Sequence, residues 1–204
     1  IALHKVFRSP EDKIVWDVGH QSYAHKILTG RKDKFSTLRT KGGIAGFPKP
    51  SESEHDAFIA GHSSTSISAA FGLSQAKSLK GEPGYVIAVI GDGALTGGMA
   101  YEALNNAGRS HDNLIVVLND NKMSISKNVG SIARYLAVIR SEPTYYKFKT
   151  GVERLVKKIP FVGNHLRDFL LRFKSAIKNS LYHSNWVEEM GFSYLGPVDG
   201  NDLQ

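Results

Sequence analysis

The sequence predicts an α/β protein with a mostly parallel sheet flanked by helices. The run YVIAVI at residues 85–90 has no alternation of polar and apolar residues, which is typical of a parallel strand buried on both faces. LIVVL at residues 114–118 repeats that composition, and a helical segment ending near Gly108, a candidate left-handed cap, separates the two runs. Strand, helix and strand within about 35 residues have the dimensions of a βαβ unit.

The other elements follow in chain order. Residues 1–8 have the apolar spacing of a helix, and KIVWDVG at residues 13–19 is typical of a short buried strand that ends in glycine. Glycine and proline crowd GGIAGFPKP at residues 42–50 and predict a loop. A helix of small residues is expected at 63–79. Its inward face is expected to consist of Ile67, Ala70, Phe71 and Leu73.

Composition excludes several classes of protein. The chain has 204 residues, of which 41% are hydrophobic and 22% charged, as in ordinary soluble domains. No apolar run approaches the ~20 residues that span a bilayer, and no charged-then-apolar leader opens the sequence. Without cysteine there is no disulfide framework, and a cytoplasmic location is expected. Because residue 1 already lies in a helical pattern, we expect a piece of a longer protein.

The positive charge is concentrated in one segment. Residues 134–178 contain 11 Lys and Arg against 3 Asp and Glu, a local charge of +8, whereas the whole chain carries +7. Such a segment fits a solvated excursion or a surface for nucleic acid. It lacks a stacking platform and a groove-reading helix, so nucleic-acid binding is not expected. The predicted organisation is an α/β domain at 1–133 and 186–204, with a basic helical or mobile insertion at 134–185.

Polar residues follow both apolar strands. Asp92 lies between Gly91 and Gly93, and Asn121 follows 29 residues later in the triplet NDN. The carboxyl ends of parallel strands share one edge, where open α/β sheets bind ligands. Carboxylate and amide oxygens suit Mg²⁺, while the glycines and the next helix N-terminus suit a phosphate. Each motif alone is more often an ordinary turn. Together they predict a metal–diphosphate site.

This spacing resembles the thiamine diphosphate motif of transketolase-like enzymes. Longer stretches resemble one family among them, the 1-deoxy-D-xylulose-5-phosphate synthases. The stretches that carry the resemblance are DKIVWDVGHQSYAHKILTGR (12–31), ESEHDAFIAGHSSTSISAA (52–70), GDGALTGGMAYEALNNAG (91–108), LNDNKMSIS (118–126) and GPVDGNDL (196–203). The resemblance implies a thiamine diphosphate-binding fold with thiamine diphosphate and Mg²⁺ as cofactors.

The resemblance also implies the site residues. The implied metal ligands are Asp92, Asn121 and the backbone carbonyl of Met123. The implied cofactor contacts are His20, Gly61, His62, Ser63, Gly93, Ala94 and Asn121. His20 and His62 are the implied catalytic residues, and histidine suits proton transfer near neutral pH. From the residues alone, the alternative is a histidine bonded to backbone in a tight Gly-His turn. His25, Lys26 and Arg31 are expected on a solvated basic face rather than at a phosphate.

The implied activity is a transfer reaction of isoprenoid and thiamine biosynthesis. Pyruvate condenses with glyceraldehyde 3-phosphate, with loss of CO2, in a homodimeric enzyme. The family's second domain supplies the glutamate that pairs with the aminopyrimidine ring and the arginines for substrate phosphate. Neither this domain nor the third is in this sequence, so the chain alone is expected to be inactive. Two alternatives stay open: a transketolase-type ketol transferase domain, and a basic module that binds nucleic acid in a salt-dependent way.

Overall fold

A computed structural model describes residues 1–120, 186–196, 198 and 200. The chain divides into two compact units, residues 1–133 with 203–204, and residues 134–202. The strands of the first unit are β1 (Lys13–Trp16), β2 (Val86–Gly91) and β3 (Leu114–Asn119). Its helices are α1 (Ala2–Val6), α2 (Tyr23–Lys26), α3 (Ser66–Lys80), α4 (Asp92–Leu95) and α5 (Gly98–Ala107). A segment with a kink at Thr29 and Gly30 (Ile27–Arg31) and a 3-10 helix (Lys32–Thr37) follow α2.

The described part of the second unit contains one short helix, α6 (Trp186–Glu189). The segment expected to form a basic insertion, 134–185, lies outside the described residues. The predicted domain organisation therefore stays a prediction. No helix in the described parts of the chain has the length and apolar character needed to cross a membrane.

The three strands form a parallel sheet in the order β1-β2-β3. In its register, Ile14 lies opposite Ile87, and Ile87 lies opposite Ile115. Because β2 and β3 are adjacent and parallel, with α4 and α5 between them, the predicted βαβ unit is confirmed. The sheet with its covering helices also confirms the predicted α/β class.

The two apolar strands differ in burial. Val86–Ile90 of β2 are all buried, which confirms a strand covered on both faces. The residues of β3 are only half-buried, and Leu118 is 36% exposed. A central strand has a neighbour on each side, whereas β3 is the last strand of the described sheet.

Helices cover the sheet. Leu3 and Phe7, in and just after α1, pack against a cluster formed by Ile14, Ile87 and Val89 on one face. Helix α3 contacts all three strands, and α5 packs beside α3. Small residues on both helices are fully buried at that contact, which permits a close approach of the two backbones.

The inward face of α3 was only partly predicted. Ile67 and Ala70 are buried, as expected, but Phe71 and Leu73 are half-buried. The buried face continues instead through Ser74 and Lys77. These positions follow the helical repeat from Ile67, so geometry outweighs side-chain polarity where a helix lies flat on a sheet.

The helix caps also differ from the expected pattern. Gly108 follows α5 with a φ of −62°, so the left-handed cap expected there is wrong. The glycine that takes this conformation is Gly81, after α3, with a φ of 65°.

Candidate cofactor site

Three loops meet at the carboxyl edge of the sheet. They are residues 17–22 after β1, residues 61–65 before α3, and residues 92–97 after β2, which include α4. The backbone N–H of Ser64 donates to Asp17 Oδ1 at 2.8 Å, which joins the first two loops. Ser64 Oγ donates to the carbonyl of Ala94 at 2.6 Å, which joins the second to the third. Hydrogen bonds therefore connect all three loops at this edge.

The Asp92 turn lies where the sequence predicts it. The sheet register places Gly91 opposite Asn119, so Asp92 and Asp120 follow side by side at the ends of β2 and β3. Asp92 is 8% exposed and begins α4. The expected placement of Asp92 beside the NDN triplet is confirmed for Asn119 and Asp120. The third member, Asn121, and the expected carbonyl ligand Met123 lie outside the described residues.

The donor chemistry and the space at this edge fit a hydrated cation with an anionic ligand. A carboxylate and amide oxygens are hard donors of the kind that Mg²⁺ takes together with water and phosphate. A side-chain carbon built on Gly91 or on Gly61 would meet no atom within 4 Å, so this edge has room for a ligand. No group of three or more histidine, aspartate or glutamate side chains suited to a metal gathers in the described residues. The expected site needs only one such side chain, Asp92.

The segment after β2 and the loop that carries His62 approach each other closely. A side-chain carbon built on Gly97 would overlap Ser64 Oγ and lie 2.8 Å from Ser64 Cβ. Only glycine fits there unless one loop moves. Gly97 therefore serves the packing of the edge, whereas a side-chain carbon built on Gly98 would meet no atom within 4 Å.

His62 lies at the outer end of this loop. Gly61, His62 and Ser63 are exposed residues. His62 Nδ1 lies 2.6 Å from the carbonyl of Ser63, so Nδ1 donates and a neutral ring leaves Nε2 as an acceptor. This is the backbone contact that the alternative interpretation of the motif requires, and it leaves Nε2 available for a ligand.

His20 lies on the loop after β1. It is exposed, and its ring makes no hydrogen bond with the described residues. The backbone just before it is unusual, because Val18 has a φ of 56°, which a β-branched residue seldom adopts. Such outliers persist only where surrounding contacts hold them, and they concentrate at functional sites. The catalytic roles of both histidines stay predictions.

Asp17 was missed by the sequence analysis. It is 1% exposed, and its carboxylate accepts the backbone N–H groups of Ser64 at 2.8 Å and Ser66 at 3.0 Å. Its carbonyl accepts the amide of Gln21 at 2.9 Å. The signal was present: VWDVG has an acidic residue directly after a buried strand, as IGDG does.

Comparisons with known proteins agree with this geometry. A family model described as 1-deoxy-D-xylulose-5-phosphate synthase matches residues 1–204. The chain belongs to the 1-deoxy-D-xylulose-5-phosphate synthase family. It is 58% identical to the synthase of Heliobacterium modesticaldum over 203 residues, which are 100% of this chain and 31% of that protein. It is also 58% identical to the synthase of Carboxydothermus hydrogenoformans over 204 residues, 100% of this chain and 33% of that protein. The chain thus spans about a third of the length of these curated relatives.

Solved structures support the fold. The chain is similar to transketolase from Leishmania mexicana, with a TM-score of 0.53 and 25% identity, over 63% of this chain and 23% of that one. It is also similar to a transketolase mutant from Pichia stipitis, with a TM-score of 0.51 and 22% identity, over 67% of this chain and 25% of that one. The second likeness shows the fold alone. The identities favour the synthase family over transketolase.

The basic residues of the HKILTGR stretch form a buried cluster in this family member. His25, Lys26 and Arg31 are 2%, 0% and 5% exposed, so the solvated basic face expected for them is wrong. Lys26 Nζ lies 2.5 Å from Glu52 Oε1, and Arg31 donates to both oxygens of Asp56 at 2.6 and 2.8 Å. These five residues are the ion cluster. The carboxylates come from ESEHD, far enough along the chain that no local pattern reveals the pairing.

The ion cluster shifts the pKa values of its members. Burial alone would raise the pKa of Asp56, but hydrogen bonds from Arg31, His25 and the Lys49 N–H outweigh it and hold that pKa well below its usual range. Burial likewise acts to raise the pKa of Glu52, and hydrogen bonds from Lys26, the Ala45 N–H and Arg31 lower it. Both carboxylates are therefore ionised throughout the physiological range.

A histidine pair extends the cluster. His4 Nε2 and His25 Nδ1 are 2.9 Å apart, and His25 Nε2 lies 3.0 Å from Asp56 Oδ1. Burial, and then the neighbouring His25, lowers the pKa of His4. The chain His4–His25–Asp56 ties the N-terminal helix to the loop that carries Asp56.

Proposed function

We propose that this chain is the diphosphate-binding domain of a 1-deoxy-D-xylulose-5-phosphate synthase, a thiamine diphosphate-dependent transferase. The observation that carries the proposal is the carboxyl edge itself. Asp92 follows β2 beside Asn119 and Asp120, and Ser64 joins the His62 loop to the same turn. Family membership favours the synthase reaction, in which pyruvate condenses with glyceraldehyde 3-phosphate and CO2 is lost. This reaction would place the protein in isoprenoid and thiamine biosynthesis.

The proposed ligand assignments follow the edge from strand to strand. Asp92, Asn121 and the carbonyl of Met123 would hold Mg²⁺, and the backbone at Gly93 and Ala94 would contact the diphosphate. Gly61, His62, Ser63 and His20 would contact the rest of the cofactor. When bound, thiamine diphosphate supplies the carbanion chemistry that decarboxylates a 2-oxo acid.

The chain's own contribution is to bind, orient and move protons. His62 is held by its Nδ1 contact with the Ser63 carbonyl, so its Nε2 has a defined direction and is ready to accept a proton. His20 is exposed on the neighbouring loop and would supply a second imidazole ring. A histidine titrates near neutral pH, which suits proton transfer during carbonyl addition.

Further properties of the complete protein belong to the same proposal. Since the chain spans about a third of its relatives, the acid–base glutamate and the phosphate-binding arginines would come from the second domain of the complete protein. The complete protein would be a cytoplasmic homodimer, with residues 134–185 as a basic insertion that binds no nucleic acid. The 204-residue chain alone would form no product.

The first experiment is calorimetric titration of thiamine diphosphate into the complete protein, with and without Mg²⁺. Tight binding that requires Mg²⁺ is expected. A second experiment follows product formation from pyruvate and glyceraldehyde 3-phosphate, with the 204-residue chain as a comparison. Product that requires both substrates supports the synthase. Ketol transfer from a ketose phosphate without pyruvate would favour the transketolase alternative, and absence of cofactor binding would contradict both.

A matched pair of variants tests the histidine role. His62→Asn is expected to lower turnover by about 10²–10⁴-fold, the usual contribution of a positioned acid–base group. His111→Asn is the control, because His111 is also exposed but precedes β3 at the opposite edge of the sheet. Equal turnover of the two variants would show that His62 has no catalytic role.

A further inference from the structure

The carboxylate of Asp17 is an unusual buried charge. The side chain is 1% exposed, and no lysine, arginine or histidine forms an ion pair with it among the described residues. Buried carboxylates are costly unless hydrogen bonds compensate them. Here the compensation comes from the backbone N–H groups of Ser64 and Ser66, at 2.8 and 3.0 Å. Both hydrogen bonds of the Asp17 carboxylate therefore go to the backbone at the end of the loop that carries His62 and the start of α3.

That loop has a conformation that needs support. Ser64 has a φ of 68°, in the left-handed region that residues with a side chain seldom adopt. Two bonds hold it there: its N–H donates to Asp17, and its hydroxyl donates to the carbonyl of Ala94. The side chain of Ser64 is buried beside Gly97 of the neighbouring turn. One residue therefore connects the end of β1 to the turn after β2.

We propose that Asp17 is a positioning residue for the cofactor. Through Ser64 it sets the loop that carries His62 against the Gly93–Ala94 turn. This inference rests on the proposed function, because the two parts that it aligns are the proposed thiazolium and diphosphate contacts. The carboxylate of Asp17 offers a separate oxygen to each N–H and so fixes both Ser64 and Ser66, whereas an asparagine would turn its N–H₂ group toward one of them.

The same strand provides a matched control at its other end. Asp12 precedes β1, is 8% exposed, and accepts the backbone N–H groups of Arg8 at 2.7 Å and Tyr85 at 2.6 Å. Asp12 and Asp17 are therefore alike in burial and in hydrogen bonding. They differ in location, since only Asp17 lies at the carboxyl edge. A general effect of losing a buried carboxylate appears in both variants, whereas a positioning effect appears only at Asp17.

The test compares Asp17→Asn with Asp12→Asn in the complete protein. Each asparagine keeps the size of the side chain but turns an N–H₂ group toward a backbone donor. With Mg²⁺ present, Asp17→Asn is expected to weaken thiamine diphosphate binding about tenfold or more, and Asp12→Asn by less than about twofold. In the activity assay, Asp17→Asn is expected to raise the KM for the cofactor, with kcat recovering to within about threefold at saturation.

A second readout needs no cofactor. Hydrogen exchange of the peptide covering residues 61–67 is expected to accelerate in Asp17→Asn and to stay unchanged in Asp12→Asn. If Asp17→Asn does not fold, Ser64→Ala replaces it, since loss of the hydroxyl bond to Ala94 should weaken cofactor binding in the same direction. Wild-type affinity in Asp17→Asn, or in Ser64→Ala where it is used instead, overturns the inference while the proposed function stands. Unchanged exchange in Asp17→Asn overturns it in the same way. If the wild-type protein binds no thiamine diphosphate, the proposed function fails and the inference fails with it.

Discussion

The carboxyl edge of the sheet and the ion cluster use the same residue types in opposite ways. His20 and His25 are five positions apart in one motif, yet His20 is exposed and His25 is 2% exposed. Helix α2 begins between them and turns His25 inward, toward Asp56. At the edge, His20 and His62 are exposed. In the ion cluster, titratable groups are matched with one another and closed off from water. Burial and pairing, more than residue type, separate a binding role from a structural one.

The pairing in the ion cluster is nearly complete, as the low exposure requires. Lys26 and Arg31 share Glu52, and Arg31 makes a two-bond contact with Asp56, the strongest geometry for such a pair. The backbone N–H groups of Ala45 and Lys49 donate further hydrogen bonds to the carboxylates of Glu52 and Asp56. The cluster therefore fastens the loop of residues 44–56 to α2 and the turn after it. A buried pair of this kind is costly to break on one side.

The largest expected effect is a loss of ligand affinity at the carboxyl edge. Asp92→Ala should lower the Mg²⁺-dependent affinity for thiamine diphosphate by at least about 100-fold, because a hard dication loses its charged protein ligand. Calorimetric titration of the complete protein measures this. Asp33→Ala removes an exposed carboxylate in the 3-10 helix, outside the three loops of the edge, and serves as the control. An affinity for Asp92→Ala within about threefold of wild type would show that Asp92 is not a metal ligand.

The next largest effect is a loss of folding stability when the ion cluster is changed. Asp56→Ala should lower the free energy of unfolding by about 3–5 kcal/mol, because it leaves His25 buried without a carboxylate and Arg31 with Glu52 alone. Urea unfolding measures the change, and Asp33→Ala is again the control. A loss below about 1 kcal/mol would mean that the cluster opens to water and does not hold the loop.

The ion cluster should also make stability depend on pH. The pKa values of Asp56 and Glu52 are lowered in the folded protein, so the unfolded chain binds more protons as pH falls below about 4. Stability from these groups is complete above that pH and is lost as the pH falls toward the folded pKa values. The lowered pKa of His4 acts in the same direction below about pH 6.5.

Urea unfolding at a series of pH values tests this dependence. Two decreases are expected on acidification, a small one from His4 and a larger one from the carboxylates. His4→Gln should remove the first, and Asp56→Asn should reduce the second. A wild-type stability that stays constant from neutral pH to about pH 4 would contradict the assignment to His4.

The smallest expected effect concerns a salt bridge at the surface. Lys80 Nζ and Glu82 Oε1 are 3.7 Å apart, and their side chains are 68% and 50% exposed. Glu82→Gln should change the free energy of unfolding by less than about 0.5 kcal/mol, because solvent screens such pairs. Comparison with Asp56→Asn in the same urea assay shows how much burial adds to the stability that an ion pair provides. Equal losses would remove the distinction between exposed and buried pairs.

The sequence by itself determined the βαβ unit, the Asp92 turn beside the end of β3, and the family. These features rest on short contiguous signals: an apolar run long enough for a strand, a glycine-flanked aspartate directly after it, and motifs of several residues. Neighbouring residues along the chain set such local structure, so one sequence is enough to predict it.

Only the tertiary structure decided which charges are buried and what they hold. His25 and Asp56 are 31 residues apart in the chain, and Asp17 and Ser64 are 47 apart, so no local pattern connects them. The half-burial of β3 likewise depends on its position in the sheet, which its own composition does not record. Burial is a property of the assembled neighbours, and for a charged side chain it determines whether the group stabilises the fold or remains available to a ligand.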